Sequence, residues 1–296
     1  MDDLMIVGLA GFAAAFVDGA LGMGFGPTSS SILLSSGISP AGVSATVNIA
    51  KVVTGLVSGV AHWRFGNIDR QLVLRLAVPG MIGAVVGTYI LTSVDGDQLR
   101  PFLAMLLILI GLRILLRFRR PIDSATSAAV DHEQTHGVEI AGAAGGVTNG
   151  LIGAWGPVVT PFLLHRRIMP RIVVGSVNTA EVAVAFVAAG SLLTSASTGI
   201  DPSTVAAMLI GGVIAAPVAA WSVRFLPARV LGLLVAGLLL LTNARELAGW
   251  AELGASRWGI YAAVATLVIA AGLNPRCGRS TQRSEPVGSV LVDTPR

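Results

Sequence analysis

The chain has 296 residues, 53% hydrophobic and only 12% charged, against roughly 25% charged in a soluble domain, and its mean hydropathy is +0.77. Its formal charge of +4 comes from 20 Lys and Arg against 16 Asp and Glu, with the basic residues gathered in loops between apolar blocks, a topology pattern rather than a nucleic-acid-binding one. These figures exclude a water-soluble globular domain and predict an all-α integral membrane protein with at least seven passes.

At the start of the chain, Asp2 and Asp3 stand where a cleavable signal needs positive charge, so the first apolar block is expected to be retained. Apolar blocks follow at about 4–36, 41–62, 71–92, 99–116, 138–165, 172–195, 203–223, 228–244 and 258–273. Blocks 4–36 and 138–165 are too long for one pass, and each is interrupted by glycines leading to a proline: Asp18-Gly-Ala-Leu-Gly-Met-Gly-Phe-Gly26-Pro27 and Asn149-Gly-Leu-Ile-Gly-Ala-Trp-Gly156-Pro157. Glycine is costly inside a helix and proline favours its first turn. Each block is therefore predicted to be two short helices joined at a break, with Pro27 and Pro157 opening the second. Cys277 stands alone in the polar tail and leaves no internal disulfide or thiolate metal site.

The two breaks are related. Gly26-Pro27, Pro40 and Val47-Asn48 recur as Gly156-Pro157, Pro170 and Val177-Asn178, at an offset of 178 − 48 = 130. Asn67-Ile68-Asp69 and Gly80 recur as Gly199-Ile200-Asp201 and Gly212 at an offset of 132. The chain reads as an internal duplication.

Orientation follows from the excess of Arg in short cytoplasmic loops. The clusters Arg64/Arg70, Arg113/Arg117/Arg119/Arg120, Arg166/Arg167/Arg171, Arg224/Arg229 and Arg276/Arg279/Arg283 are placed inside, and segments 35–40, 93–99 and 195–203 outside. Block 138–165 then begins and ends inside, and its twin 4–36 begins and ends outside. Both are expected to be re-entrant hairpins entering from opposite faces, the inverted repeat of a secondary transporter. Expected units are a first repeat at 1–118, a polar cytoplasmic linker at 119–137, a second repeat at 138–247, a C-terminal helix at 248–273 and a disordered cytoplasmic tail at 274–296. Each repeat holds a broken hairpin and about three transmembrane helices. The N-terminus is expected outside and the C-terminus in the cytoplasm.

At such a break the second half-helix points unpaired N–H groups and a positive dipole end at the tip, which favours an anion. Gly22, Gly24, Gly26, Gly153 and Gly156 allow close backbone approach, and Thr28, Ser29, Ser30 and Thr160 offer hydroxyl donors. The same glycines serve equally for close helix packing. Lys51 and Glu181 lie about 15 Å deep in their blocks, again 130 apart. An ionisable group at that depth has a partner or a function: Lys51 to attract the anion and Glu181 to exchange a proton, or the two as a structural ion pair. Asn48 and Asn178, one turn earlier, supply neutral hydrogen bonds, and Asp18 is a second proton-carrier candidate.

His132-Glu133-Gln-Thr-His136 fits the zinc-binding H-E-x-x-H pattern and raises the alternative of an intramembrane metalloprotease. It lies in the polar connector, without a third ligand, and reads as a chance match. His62 and His165 read as interfacial. A non-transporting membrane scaffold or sensor is the other alternative. No G-x-x-x-x-G-K-[ST] loop is present, so transport is expected to be gradient-driven, with no cofactor, no metal and no enzymatic step.

The paired Gly-rich breaks, the proline-opened helices, and the Asn-Ile-Asp and Gly-Ile-Asp signatures resemble the sulfite exporter TauE/SafE family over about residues 5–273. That resemblance implies a multi-pass permease of the cell inner membrane for small sulfur-containing anions such as sulfite, thiosulfate or organosulfonates, with export as the expected direction. The expected partners are such an anion, the lipid bilayer and a coupling proton, without nucleic acid. The oligomeric state is left open.

Overall fold

The structure, a computed structural model, describes residues 2–21, 23–119, 136–166, 168–195, 201–222 and 228–273. The described chain is helical: α1 (Asp2–Leu21), α2 (Phe25–Ser35), α3 (Pro40–Arg64), α4 (Arg70–Ser93), α5 (Gly96–Arg119), α6 (Val138–Ile152), α7 (Gly156–His165), α8 (Pro170–Leu193), α9 (Pro202–Ser222), α10 (Ala228–Trp250) and α11 (Arg257–Leu273). Local sequence sets several of the starts. Pro40 and Pro170 occupy first-turn positions, Ser39 Oγ accepts the Gly42 N–H at 3.2 Å, and Asp69 Oδ1 accepts the Leu72 N–H at 2.7 Å.

Both long blocks are broken as predicted. Helix α1 gives way to α2 between Leu21 and Phe25, and α6 to α7 between Ile152 and Gly156, with Pro27 and Pro157 in the first turn of the second helix. The second break is closed by Gly153, at φ +65°, a left-handed turn that glycine adopts freely. Its N–H returns to Asn149 O at 2.7 Å.

Among the described residues, five helices are long and apolar enough to cross a membrane: Pro40–Arg64, Arg70–Ser93, Gly96–Phe118, Pro170–Leu193 and Arg229–Trp250. Leu4–Asp18, Pro202–Ala215 and Arg257–Leu273 are shorter apolar helices. At 11 and 10 residues, α2 and α7 are about 16 Å long and reach only part-way through a core of about 30 Å. Large apolar side chains such as Val57, Tyr89, Ile140 and Val213 are 69–75% exposed. Lipid rather than water suits such a surface.

The order α1 to α5 is repeated in α6 to α10, and the two sets exchange partners. Helix α1 packs on α9 and its counterpart α6 on α4, while α3 pairs with α8 and α5 with α10. Both exchanged seams are glycine contacts: a Cβ on Gly146 would stand 2.0 Å from Gly80 O, and one on Gly211 2.0 Å from Gly8 O. In lipid, where apolar burial drives little, such backbone approach holds helices together. The buried side chains form two clusters. One joins α1, α2, α5 and α10 around Leu33, Leu107 and Leu239, and the other joins α4, α6, α7 and α8 around Leu76, Trp155 and Val177.

Candidate functional site

The breaks meet each other. Gly26 of α2 lies against Gly153, where an added Cβ would stand 1.7 Å from the carbonyl oxygen, and Gly156 of α7 lies against Met23, at 3.2 Å from Cα. Because 153 − 23 = 156 − 26 = 130, these are the same contact made twice, as an exchange of two like halves requires.

The end of α6 leaves carbonyl groups without intrahelical partners, and the first repeat supplies the donors. Asn48 Nδ2 donates to Asn149 O at 3.2 Å, Ser44 Oγ to Gly150 O at 2.6 Å and Ser30 Oγ to Ile152 O at 2.6 Å. Lys51 Nζ donates to Gly153 O. A cation there also faces the negative end of the α6 dipole. Asn149 completes the junction: its Nδ2 donates to Asn48 Oδ1 at 2.6 Å and its Oδ1 accepts from Lys51 at 3.3 Å.

Lys51, the sole lysine of the chain, also forms an ion pair with Glu181 of α8, the two side chains being 7% and 19% exposed. A second carboxylate sits close by. Asp18, at the end of α1, accepts the N–H groups of Gly24 and Phe25 on one oxygen, at 3.0 and 3.3 Å. The N–H groups of Gly24 and Phe25 at the start of α2, where the sequence leads one to expect an anion, are buried and donate to the chain's own carboxylate. The position equivalent to Asp18 at offset 130 is Thr148, whose hydroxyl donates to Ala154 O at 2.7 Å. No side chain caps the start of α7.

Asp18, Lys51 and Glu181 line a cavity of about 70 Å³ together with Gly26, Gly156, Pro157 and Asn178, several times the roughly 10–15 Å³ that one water needs. Thr54, Gly55 and Ser58 of α3 complete it; Asn178 Nδ2 reaches Ser58 Oγ at 3.4 Å.

Of the residues singled out in the sequence, Gly26, Lys51, Gly156, Asn178, Glu181 and Asp18 line this cavity. Gly153 reaches it through the Lys51 hydrogen bond, and Gly24 through Asp18. The other described candidates do not line it. Asn48 and Ser30 are fully buried in the α6 junction, and the Ser29 hydroxyl is spent on Phe25 O and Gly26 O of its own helix. Thr28 and Thr160 are buried, with hydroxyls that find no acceptor among the described residues. Gly22 lies outside the described residues, as do His132, Glu133, Cys277 and the tail. Among the described residues no cluster of three His, Cys, Asp or Glu could hold a metal.

Asn149, Thr54 and Ser58 were missed in the sequence. Thr54 and Ser58 lie three and seven positions after Lys51, on its helical face, and that spacing is the signal that finds them. Asn149 has Gly19 as its repeat counterpart, so comparing the halves conceals it.

The family described as Sulfite exporter TauE/SafE matches residues 7–245. The chain is 38% identical over 279 residues to the Probable membrane transporter protein YtnM of Bacillus subtilis (strain 168), covering 92% of each chain. No solved structure matches significantly.

Proposed function

The chain belongs to the sulfite exporter TauE/SafE family, and from that membership we propose that it is a gradient-driven transporter of a small sulfur-containing anion, such as sulfite, thiosulfate or an organosulfonate. Its two repeats act as inverted halves alternating about the central cavity in the inner membrane, with the N-terminus outside and no enzymatic step. The observation that carries this reading is the small polar cavity where the two broken helices meet, deep among helices long enough to span a membrane. Broken helices meeting around a midplane site are the recurring plan of secondary transporters.

The charge balance of the cavity adds the coupling. One ammonium, Lys51, stands against two carboxylates, Asp18 and Glu181, so the fully ionised cavity already carries an excess negative charge. An anion entering it adds a second, at high cost in a low-dielectric site. A proton on Glu181 or Asp18 removes that cost, and with Glu181 neutral the Lys51 ammonium is freed for the anion. Anion and proton therefore move in the same direction, and net flux follows their combined gradients.

The test is flux into proteoliposomes holding the purified chain, offering sulfite, thiosulfate, sulfate, a sulfonate and a carboxylate, with and without a pH gradient. Saturable flux of a sulfur anion, accelerated by acidifying the side it leaves, is expected. Absence of flux for every anion would sink the transport reading, and flux indifferent to the gradient would remove the proton.

A further inference from the structure

Beside the central cavity lies a second one, of about 320 Å³, whose chemistry the central site does not use. Two arginines on successive turns of α5, Arg113 and Arg117, line it from one side, and His165 at the end of α7 lines it from the other. Among the described residues no acidic residue lines it, and neither arginine forms an ion pair with a carboxylate. Among the described residues Arg117 Nη1 meets the Met23 sulfur, at 3.6 Å, and the guanidinium stands 5.9 Å from the centre of the Phe118 ring. A thioether is a weak acceptor. Like charges one turn apart repel, and both arginines stand in the last two turns of α5, Arg113 exposed and Arg117 half-buried, without a counter-charge to offset them among the described residues.

What offsets them follows from where the cavity leads. Met23 and Pro157 line both this cavity and the central one, so they form the wall between the two. Met23 is buried and belongs to the break between α1 and α2. An unbranched side chain with three rotatable bonds is the most easily displaced part of such a wall.

Resting on the transport reading above, we propose that Arg113 and Arg117 form a second oxyanion site, a vestibule in series with the central cavity, and that Met23 is the gate between them. Two guanidinium forks facing one cavity match the oxygen atoms of sulfite, thiosulfate or a sulfonate. A free anion is concentrated there before it meets Lys51. A lipid phosphate offers similar oxygens and Arg113 is exposed, but both arginines line one cavity walled by α7 and by Met23 and Pro157 of the central site, whereas arginines that snorkel to headgroups reach outward to the interface.

The experiment uses the full chain in two bilayers, one of phosphatidylcholine alone and one with phosphatidylglycerol added, with radiolabelled thiosulfate and sulfite as probes. Arg113→Gln/Arg117→Gln is expected to raise KM for flux about ten-fold or more in both bilayers while Vmax stays within about two-fold. It should also lose one class of equilibrium binding, which Arg113→Lys/Arg117→Lys partly keeps. Met23→Trp is expected to stop flux while vestibule binding persists, and Lys51→Met to do the same. An unchanged KM and binding stoichiometry in the glutamine variant overturns the vestibule, and so does an effect confined to phosphatidylglycerol, which would mark headgroup anchors. If the native chain moves no anion, the transport reading falls by itself. The vestibule then stands on anion binding that the glutamine pair abolishes, and falls if the native chain binds neither probe.

Discussion

Lys51 and Glu181 occupy equivalent positions in the two repeats, 130 residues apart, and form an ion pair with each other. A contact between repeat-equivalent residues lies where the two halves meet, so the buried charge pair joins α3 of one half to α8 of the other. Its environment is nevertheless unequal, because only Lys51 also donates to Gly153 O and Asn149 Oδ1. Removing one partner leaves the other buried and unpaired. Lys51→Met or Glu181→Leu should cost about 3–5 kcal/mol of stability, and the double variant should recover most of it. Thermal unfolding in detergent measures this. The charge-swapped variant Lys51→Glu/Glu181→Lys should fold and fail to transport, and full flux from it would show that the pair is only a structural clamp.

Asp18 separates two roles in one side chain. Asp18→Asn keeps an oxygen for the Gly24 and Phe25 N–H groups and should leave stability nearly unchanged, whereas Asp18→Ala should cost about 1 kcal/mol, as loss of a helix cap does. If Asp18 carries the coupling proton, the asparagine variant transports without responding to a pH gradient. A gradient response equal to that of the native chain assigns the proton to Glu181.

Two glycines are required for different reasons. Gly26→Ala places a methyl 1.7 Å from Gly153 O, so the junction of the breaks has to move, and the loss should exceed the about 1–3 kcal/mol typical of overpacking. Gly37 has φ +86° with nothing within 4 Å of the new atom, so Gly37→Ala should cost only about 1 kcal/mol of backbone strain. Equal melting points for the two variants would contradict the contact between α2 and the second break.

Buried hydroxyls and cavity amides should part company in kinetics. Ser30→Ala and Ser44→Ala each strand a carbonyl at the end of α6, at a cost of about 1–3 kcal/mol, with KM unchanged because neither lines the cavity. Asn178→Ala should leave stability within about 0.5 kcal/mol and raise KM. A change in KM for Ser30→Ala would place that hydroxyl on the substrate path after all.

Much of the plan was legible in residue order. Hydropathy blocks and glycine-proline breaks report on local physics, what a backbone tolerates in lipid and where a helix can restart, and α1/α2 and α6/α7 divide where Gly26-Pro27 and Gly156-Pro157 say they should. The duplication was legible as a constant offset, which brought Lys51 and Glu181 together before any contact was known. The site was legible only in part. Asn48, Ser29 and Ser30 are donor-bearing residues beside a break, and residue type cannot tell a donor that faces a cavity from one that faces a helix end.

The sequence by itself thus determined a helical membrane protein made of two like halves, each with a broken helix, because hydropathy, glycine and proline act within a few residues of themselves. Only the tertiary structure decided which groups meet at the centre. The carbonyls that end α6 take their donors from 101 to 122 positions away, and Asp18 meets the N–H groups at the start of α2. Those partners are fixed by how the two halves exchange helices, and no local property of the chain encodes that.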